Sequence, residues 1–373
     1  MTYSDTAVLT IDLAALTQNY HAMKAAAPGA QTAAVVKANA YGLGLEPVVK
    51  TLHAAGCTNF FVALAEEGVE LRALAPDAII YVLNGLPIGA AADFALHELR
   101  PCLTSPEQML EWQDYCQNQA KAALPACLFV DTGFHRLGLS QNQVADLADT
   151  PSAFDGWELC LIASHLACAD APDHPMNASQ LEAFRFALSL LPKAPASLAN
   201  SGGVRMGEAY HFDMVRTGTM IYGGSATGRV EDALAPVTCL RAPLLQIRQL
   251  SAGDSIGYGA TFTASREMTI GLVSLGYGDG LSRYFSGKSG APSPAHLMLN
   301  GQPTPLVGRV SMDSLAIDMT DLPASLRAEA KIGDMVEVFG PNNPIDRLAM
   351  QGQTISYELL TALGTRYKRV YSD

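Results

Sequence analysis

Residues 32–44 read TAAVVKANAYGLG. The first five are small or β-branched and, after Thr32, apolar, which predicts a short strand buried on both faces. Lys37 follows at once. A lysine there is either a solvated cap on the strand or an amine held in a pocket, where desolvation lowers its pKa and makes it a nucleophile. The surroundings of the strand separate the two readings.

Upstream, Asp12 is placed to cap a helix whose apolar residues Leu13, Leu16, Tyr20 and Met23 recur at steps of three and four. Downstream, short apolar runs fall at 60–64, 78–83, 99–103, 126–130, 159–163, 197–199 and 213–215, with helix-like segments such as 106–115 and 180–191 between them. With 32–36 they make about eight βα units in roughly 235 residues, and the expected fold is α/β: a closed (β/α)8 TIM-type barrel. A doubly wound open sheet uses the same alternation and stands as the alternative. From 236 the texture changes to alternating stretches, PLLQIRQL, MTIGLVSL and LAIDMT, broken by Gly and Pro, with one clear late helix at 357–363. The expected division is a barrel over 1–235 and a mostly β domain over 236–373.

The chain has 373 residues, 49% of them hydrophobic and 16% charged, enough for a large core and against disorder. A formal net charge of −12 argues against nucleic acid or an anionic membrane as partner. The opening residues lack the basic start of a signal peptide, and no stretch approaches an uncharged membrane span. Seven scattered cysteines without a Cys-x-x-Cys motif, and eight histidines without metal-ligand spacing, suit a cytoplasmic protein with reduced thiols and no metal.

Polar residues follow the apolar runs directly, in VVKANAYG, FVDTGFHRLG, LIASHLACAD, SLANSGG and MVRTGT, at the carboxyl ends where barrels build their sites. Taken singly, each has an ordinary explanation. His165 could be a satisfied core histidine, Arg216 could pair with any carboxylate, and GYGDG at 276–280 opens no helix after a strand as a dinucleotide fingerprint must. DTG at 131–133 resembles the aspartic proteases, but they need two such carboxylates and no second motif exists. Together, one lysine, one arginine, one histidine, an Asn-Ser-Gly-Gly turn and a Gly-Thr turn share one barrel mouth. Glycine-turn amides and hydroxyls suit a phosphate, a lysine can form an imine, and a planar side chain can stack on a ring. That combination suits pyridoxal phosphate.

Over nearly the whole chain, from Ile11 to Tyr371, the sequence resembles the alanine racemases, pyridoxal-phosphate enzymes with a barrel and a β domain. VVKANAYG, DTGFHRLG, SHLACAD, LANSGG, DMVRTGTMIYG, IGYGATF, LGYGDG, VGRVSMDSLAID and ISYELL carry the resemblance. It implies interconversion of L- and D-alanine, with D-alanine supplied for peptidoglycan. Lys37 would carry the cofactor as an imine and act as one base. Tyr41, Asn200, Ser201, Gly218, Thr219 and Tyr357 would hold its phosphate, His165 would lie against its ring, and Arg216 would face the ring nitrogen. Arg136 would reach the substrate carboxylate, as would the backbone of Met312, with Asp313 nearby. Tyr258 would be the second base. Tyr258 and Met312 would come from the partner subunit of a homodimer, and Tyr277, Arg283, Arg309 and Asp170 would line the passage to the site.

A free tyrosine is a poor base, since ionising a group of pKa ~10 at pH 7 costs about 4 kcal/mol. Nearby cations, expected to be His165 and Arg216, would have to offset much of that. Arg216 itself can only donate, so it holds the ring nitrogen without handing it a proton. Two positions depart from the family. Leu43 stands where many members have histidine, with little effect expected on chemistry. Phe129 stands where many carry a carbamylated lysine that orients the arginine, so Arg136 is expected to find another acceptor. Of the rival functions, a decarboxylase of the same architecture would place an acid, not Arg216, at the ring nitrogen. A carrier of the cofactor would need no Tyr258. A racemase of serine or another small amino acid stays open.

Overall fold

In the computed structural model, which describes residues 6–120, 122–287 and 291–373, the chain divides into two units. Leu16–Ile221 is one; the residues up to Ala15 together with Tyr222–Asp373 are the other. The first strand, β1 (Val8–Asp12), belongs to the second unit. The next eight build the first: β2 (Gln31–Val35), β3 (Asn59–Val62), β4 (Ile79–Val82), β5 (Leu99–Leu103), β6 (Pro125–Phe129), β7 (Glu158–Ala163), β8 (Ala196–Ser197) and β9 (Met214–Thr217).

These eight strands pair in parallel and in chain order from β2 to β8, and β9 pairs with β2. The seam between β8 and β9 is closed by Asp213 N donating to Ala196 O at 3.0 Å and Arg216 N to Ala199 O at 2.9 Å. The sheet is therefore a closed barrel, and the open-sheet alternative falls. Its interior is filled by Ala33, Val35, Phe61, Tyr81, Cys102, Cys127, Phe129, Leu161, Ala163 and Met214, with the rings of Phe61 and Tyr81 stacked at 4.6 Å. Burying side chains of this size stabilises by roughly 1.5–3 kcal/mol each.

That interior also aims the polar residues. Side chains of a strand alternate between faces, so the position two beyond an inward residue continues inward. Val35 precedes Lys37 by two, Ala163 precedes His165, and Met214 precedes Arg216, which lies on β9 itself. The packed core below and the reactive groups above are one register.

The second unit is built on β10 (Thr238–Leu250), a strand of 13 residues whose irregularity between Leu244 and Gln246 lets it serve two neighbours. Its first half pairs with β1 and with Met335–Phe339, its second with Met268–Val273, all antiparallel. The final strand, Lys368–Ser372, lies parallel to β1 on the other side. Cutting the chain at 235/236 places residues 8–12 with the barrel; in the structure Leu9 and Ile11 are fully buried in this second sheet instead. Asp12 does cap the helix Leu13–Ala26, its Oδ1 accepting from Ala15 N at 2.8 Å. Two short helices, Ala324–Glu329 and Ile345–Gln351, accompany the expected late one, which runs over Ser356–Thr361. No helix among the described residues is long and apolar enough to cross a membrane.

Candidate active site

After Lys37 the backbone reverses its handedness. Ala38, Asn39, Ala40 and Tyr41 have φ of 54, 54, 52 and 56°, a turn of left-handed helix made without glycine. Each such residue costs about 1–2 kcal/mol, asparagine least, so the turn needs support. Within it, Ala40 N donates to Val36 O and Gly42 N to Ala38 O, both at 2.9 Å. Asn39 Oδ1 accepts from Leu45 N at 2.7 Å, and the carboxylate of Glu67 accepts from Ala38 N at 2.6 Å. The reversal carries Tyr41 against Gly218, where a Cβ would stand 2.7 Å from the Tyr41 hydroxyl and force the phenol to move. Leu43 is fully buried.

Among the described residues nothing hydrogen-bonds or ion-pairs with Lys37 Nζ. Burial lowers its pKa, the Arg136 charge lowers it further, and Glu67 works in the opposite direction. Burial and Arg136 thereby ease deprotonation of its ammonium.

Arg216 is 3% exposed and held by neutral acceptors only. Nη1 donates to Ser197 O at 2.9 Å and Ser197 Oγ at 2.6 Å, and Nη2 to Ser164 O and His165 Nδ1, the last at 3.4 Å. Its guanidinium also lies 5.8 Å from the centre of the Phe61 ring. Burial pulls its pKa down to about 10, so it stays charged at neutral pH. Because arginine only donates, Nδ1 of His165 must accept, which leaves the ring neutral with its proton on Nε2. Burial, then Arg216, Arg136 and Lys37, hold the His165 pKa down to about 3, in agreement with that tautomer.

The loop that presents His165 is itself clamped. Gln180, fully buried on the helix Pro175–Leu190, donates Nε2 to His165 O at 2.9 Å and to Thr132 Oγ1 at 3.2 Å, while its Oε1 accepts from Ala167 N at 2.8 Å. Thr132 and Ser164 share a hydrogen bond of 2.8 Å. The loop after β6, which carries Arg136, is thus tied to the loop after β7.

Asn200 and Ser201 form a second turn at the end of β8. Asn200 Oδ1 accepts from Gly203 N at 3.0 Å, and Ser201 Oγ accepts from Gly218 N at 2.9 Å, joining the two glycine turns. Thr219 Oγ1, buried beside them, has no partner among the described residues.

The other proposed residues lie in the second unit. Tyr258 is 70% exposed on a short turn between Gly257 and Gly259, whose φ values are 76 and 73°. Met312 is exposed; its carbonyl accepts from Gly278 N at 2.9 Å, and the loops touch so closely that a Cβ on Gly276 would stand 2.3 Å from Met312 O. Arg366 holds the two loops together, Nε to Asp279 and Nη1 to Asp313, both at 2.7 Å. Tyr357 is half-exposed in the first turn of Ser356–Thr361. Asp170 is exposed on the barrel unit; Tyr277, Arg283 and Arg309 are exposed on the other.

Residues 11–226 match the family described as alanine racemase, N-terminal domain, and residues 237–371 match alanine racemase, C-terminal domain. The chain belongs to the alanine racemase family. An alanine racemase of Rhizobium meliloti is 43% identical over 368 residues, covering 97% of this chain and 96% of the relative. The crystal structure of alanine racemase from Bartonella henselae with covalently bound pyridoxal phosphate superposes with a TM-score of 0.92 at 38% identity, over 98% of this chain and 99% of that one. The biosynthetic alanine racemase of Pseudomonas aeruginosa gives 0.88 at 37%, over 99% of both.

The family's cofactor is pyridoxal phosphate, and the barrel residues fit it. Three cations, Lys37, Arg136 and Arg216, bear on one neutral histidine, and the orphaned Thr219 hydroxyl stands at the Ser201–Gly218 junction. A surplus of positive charge beside unpaired hydroxyl and glycine turns suits an anionic phosphate and ring.

Two alanine racemase expectations are corrected. His165 is neutral, so it cannot be one of the cations expected to ease ionisation of a tyrosine. Arg136 finds no anionic or carbonyl acceptor among the described residues and instead lies 4.2 Å over the ring of Phe134. The reason is local: Phe129 packs into the barrel core, and the carboxylate of Asp131 is taken up by the amides of Gly133, Phe134 and His135 and by the His135 ring.

The sequence reading missed Glu67, Gln180, Ser197 and Arg366. Glu67 carries a visible signal, a glutamate three positions into a helix after Leu64. Its reach to Ala38 carries none.

Proposed function

We propose that Lys37 and Tyr258 are the two bases that move a proton between the faces of the substrate Cα, in a protein whose activity is the pyridoxal-phosphate-dependent interconversion of L- and D-alanine. The observation that carries the reading is Lys37 itself: a partly desolvated lysine without a hydrogen-bond or ion-pair partner among the described residues, on the same barrel mouth as His165 and Arg216.

Bound through Lys37, pyridoxal phosphate withdraws electrons from Cα and so lowers the cost of removing its proton. Tyr41, Asn200, Ser201, Gly218, Thr219 and Tyr357 would hold the phosphate. Arg216, fixed by Ser197 and Ser164, would face the ring nitrogen and, as a group that only donates, would hand it no proton, which would favour quick reprotonation. Lys37 would hold the cofactor and, when its Nζ is free, would remove or return a proton on one face. The phenolic oxygen of Tyr258 does so on the other. Arg136 swings from the Phe134 ring to the substrate carboxylate, an acceptor that none of the described residues provides, and the Met312 amide, whose carbonyl is already engaged, donates to the same carboxylate.

The active unit is a homodimer, in which Tyr258 and Met312 of the partner subunit complete each barrel mouth. Their exposure in this chain supports that reading: two residues proposed for chemistry that stand out in solvent on a single subunit need a second surface to act on. Incubation of the purified protein with L-alanine and with D-alanine in D2O tests the activity. Interconversion in both directions with deuterium at Cα is expected. Decarboxylated product would favour the decarboxylase, exchange confined to serine would favour a different racemase, and no exchange would favour a carrier.

A further inference from the structure

Glu67 sits at the third position of the helix Ala65–Leu74, half-buried behind the lysine strand. One of its oxygens, Oε2, accepts from Ala63 N at 2.8 Å and Leu64 N at 3.1 Å and so closes the start of its own helix. The other, Oε1, reaches 29 residues back to accept from Ala38 N at 2.6 Å. Ala38 is the first residue of the left-handed turn, and its amide is the donor that such a turn leaves unsatisfied at its start. The charged groups that bear on Lys37 are Arg136 and Glu67, with His165 neutral beside them.

We propose that Glu67 is the positioning residue for Lys37, bracing the strained turn that follows the lysine and tying it to the loop after β3. The proposal rests on Lys37 being the cofactor lysine. A carboxylate suits the task better than an amide, because both oxygens accept and charge-assisted bonds to backbone N–H are the stronger kind. Glutamine can satisfy one side only, since its NH2 would face another donor. The same negative charge opposes the effect of burial and of Arg136 on the Lys37 amine.

The test uses the holoenzyme and the variants Glu67→Gln and Glu67→Ala, each also combined with Ala38→Gly. Glycine adopts a positive φ at no steric cost, so it relieves the strain that Glu67 is proposed to hold. Loss of cofactor from dilute holoenzyme, followed by its visible absorbance, is expected to quicken about tenfold in Glu67→Gln, as for one lost charge-assisted hydrogen bond, and more in Glu67→Ala. Ala38→Gly should recover most of that loss. The acid limb of the kcat profile should move to lower pH in Glu67→Gln, because removing a negative charge eases deprotonation of the Lys37 ammonium. If Glu67 only starts its own helix, the unfolding midpoint will fall while cofactor loss and pH profile stay at wild-type values, or Ala38→Gly will rescue nothing; either result overturns the proposal. Borohydride reduction of wild-type holoenzyme with peptide mapping separates the underlying reading. A label elsewhere than Lys37 defeats that assignment whatever the Glu67 variants do.

Discussion

Replacing His165 by asparagine should flatten the acid side of the stability curve of the cofactor-free protein. In the folded chain the His165 pKa is held down to about 3, whereas an unfolded histidine titrates near 6.5. Below that ordinary value the unfolded state binds a proton that the folded state refuses, so stability falls as pH falls through the window from about 6.5 to about 3. Between about pH 7.5 and about pH 5 the difference integrates to roughly 1.5 pH units, or about 2 kcal/mol. Asparagine keeps an oxygen where Nδ1 accepts from Arg216 and has nothing to protonate. The assay is urea unfolding of both proteins across that range. Wild type should lose about 2 kcal/mol more than His165→Asn on going from pH 7.5 to 5. Curves that run parallel to within about 0.5 kcal/mol would refute a neutral His165 and with it the account of the cation cluster.

Arg216→Glu offers the ring nitrogen a group that supports its protonation, so transamination should rise relative to racemisation; an unchanged product ratio would count against a shallow electron sink. Gln180→Leu leaves the Ala167 amide, the His165 carbonyl and the Thr132 hydroxyl without their shared partner. It should lower the urea-unfolding stability by about 3 kcal/mol or more, and a loss under about 1 kcal/mol would mean the clamp is dispensable.

The parts of this site that rest on local pattern were legible in the sequence. A polar residue directly after an apolar run marks a strand end, so Lys37, His165 and Arg216 could be set on one barrel mouth before any coordinates. What could not be read is what depends on distant partners or on backbone reversal. Ala-Asn-Ala-Tyr holds no glycine, yet it forms the left-handed turn because Glu67 and Asn39 brace it. The neutrality of His165 follows from its burial first, and then from Arg216, Arg136 and Lys37 around it. Arg136 was expected to find another acceptor, but Asp131 is consumed by its own loop. At the chain start, residues 8–12 were not read as a strand, because their partners, 238–241 on one side and 368–372 on the other, lie more than 200 positions away. The helices Ala324–Glu329 and Ile345–Gln351 were missed because each is under three turns long and begins directly after a proline.

The central claim is that two different bases serve the two faces of Cα, and Tyr258→Phe in D2O tests it most directly. With Lys37 intact, one enantiomer of alanine should still exchange its Cα hydrogen for deuterium with retention, while the other no longer exchanges and interconversion stops. Racemisation persisting near the wild-type rate, or loss of exchange from both enantiomers alike, would contradict it.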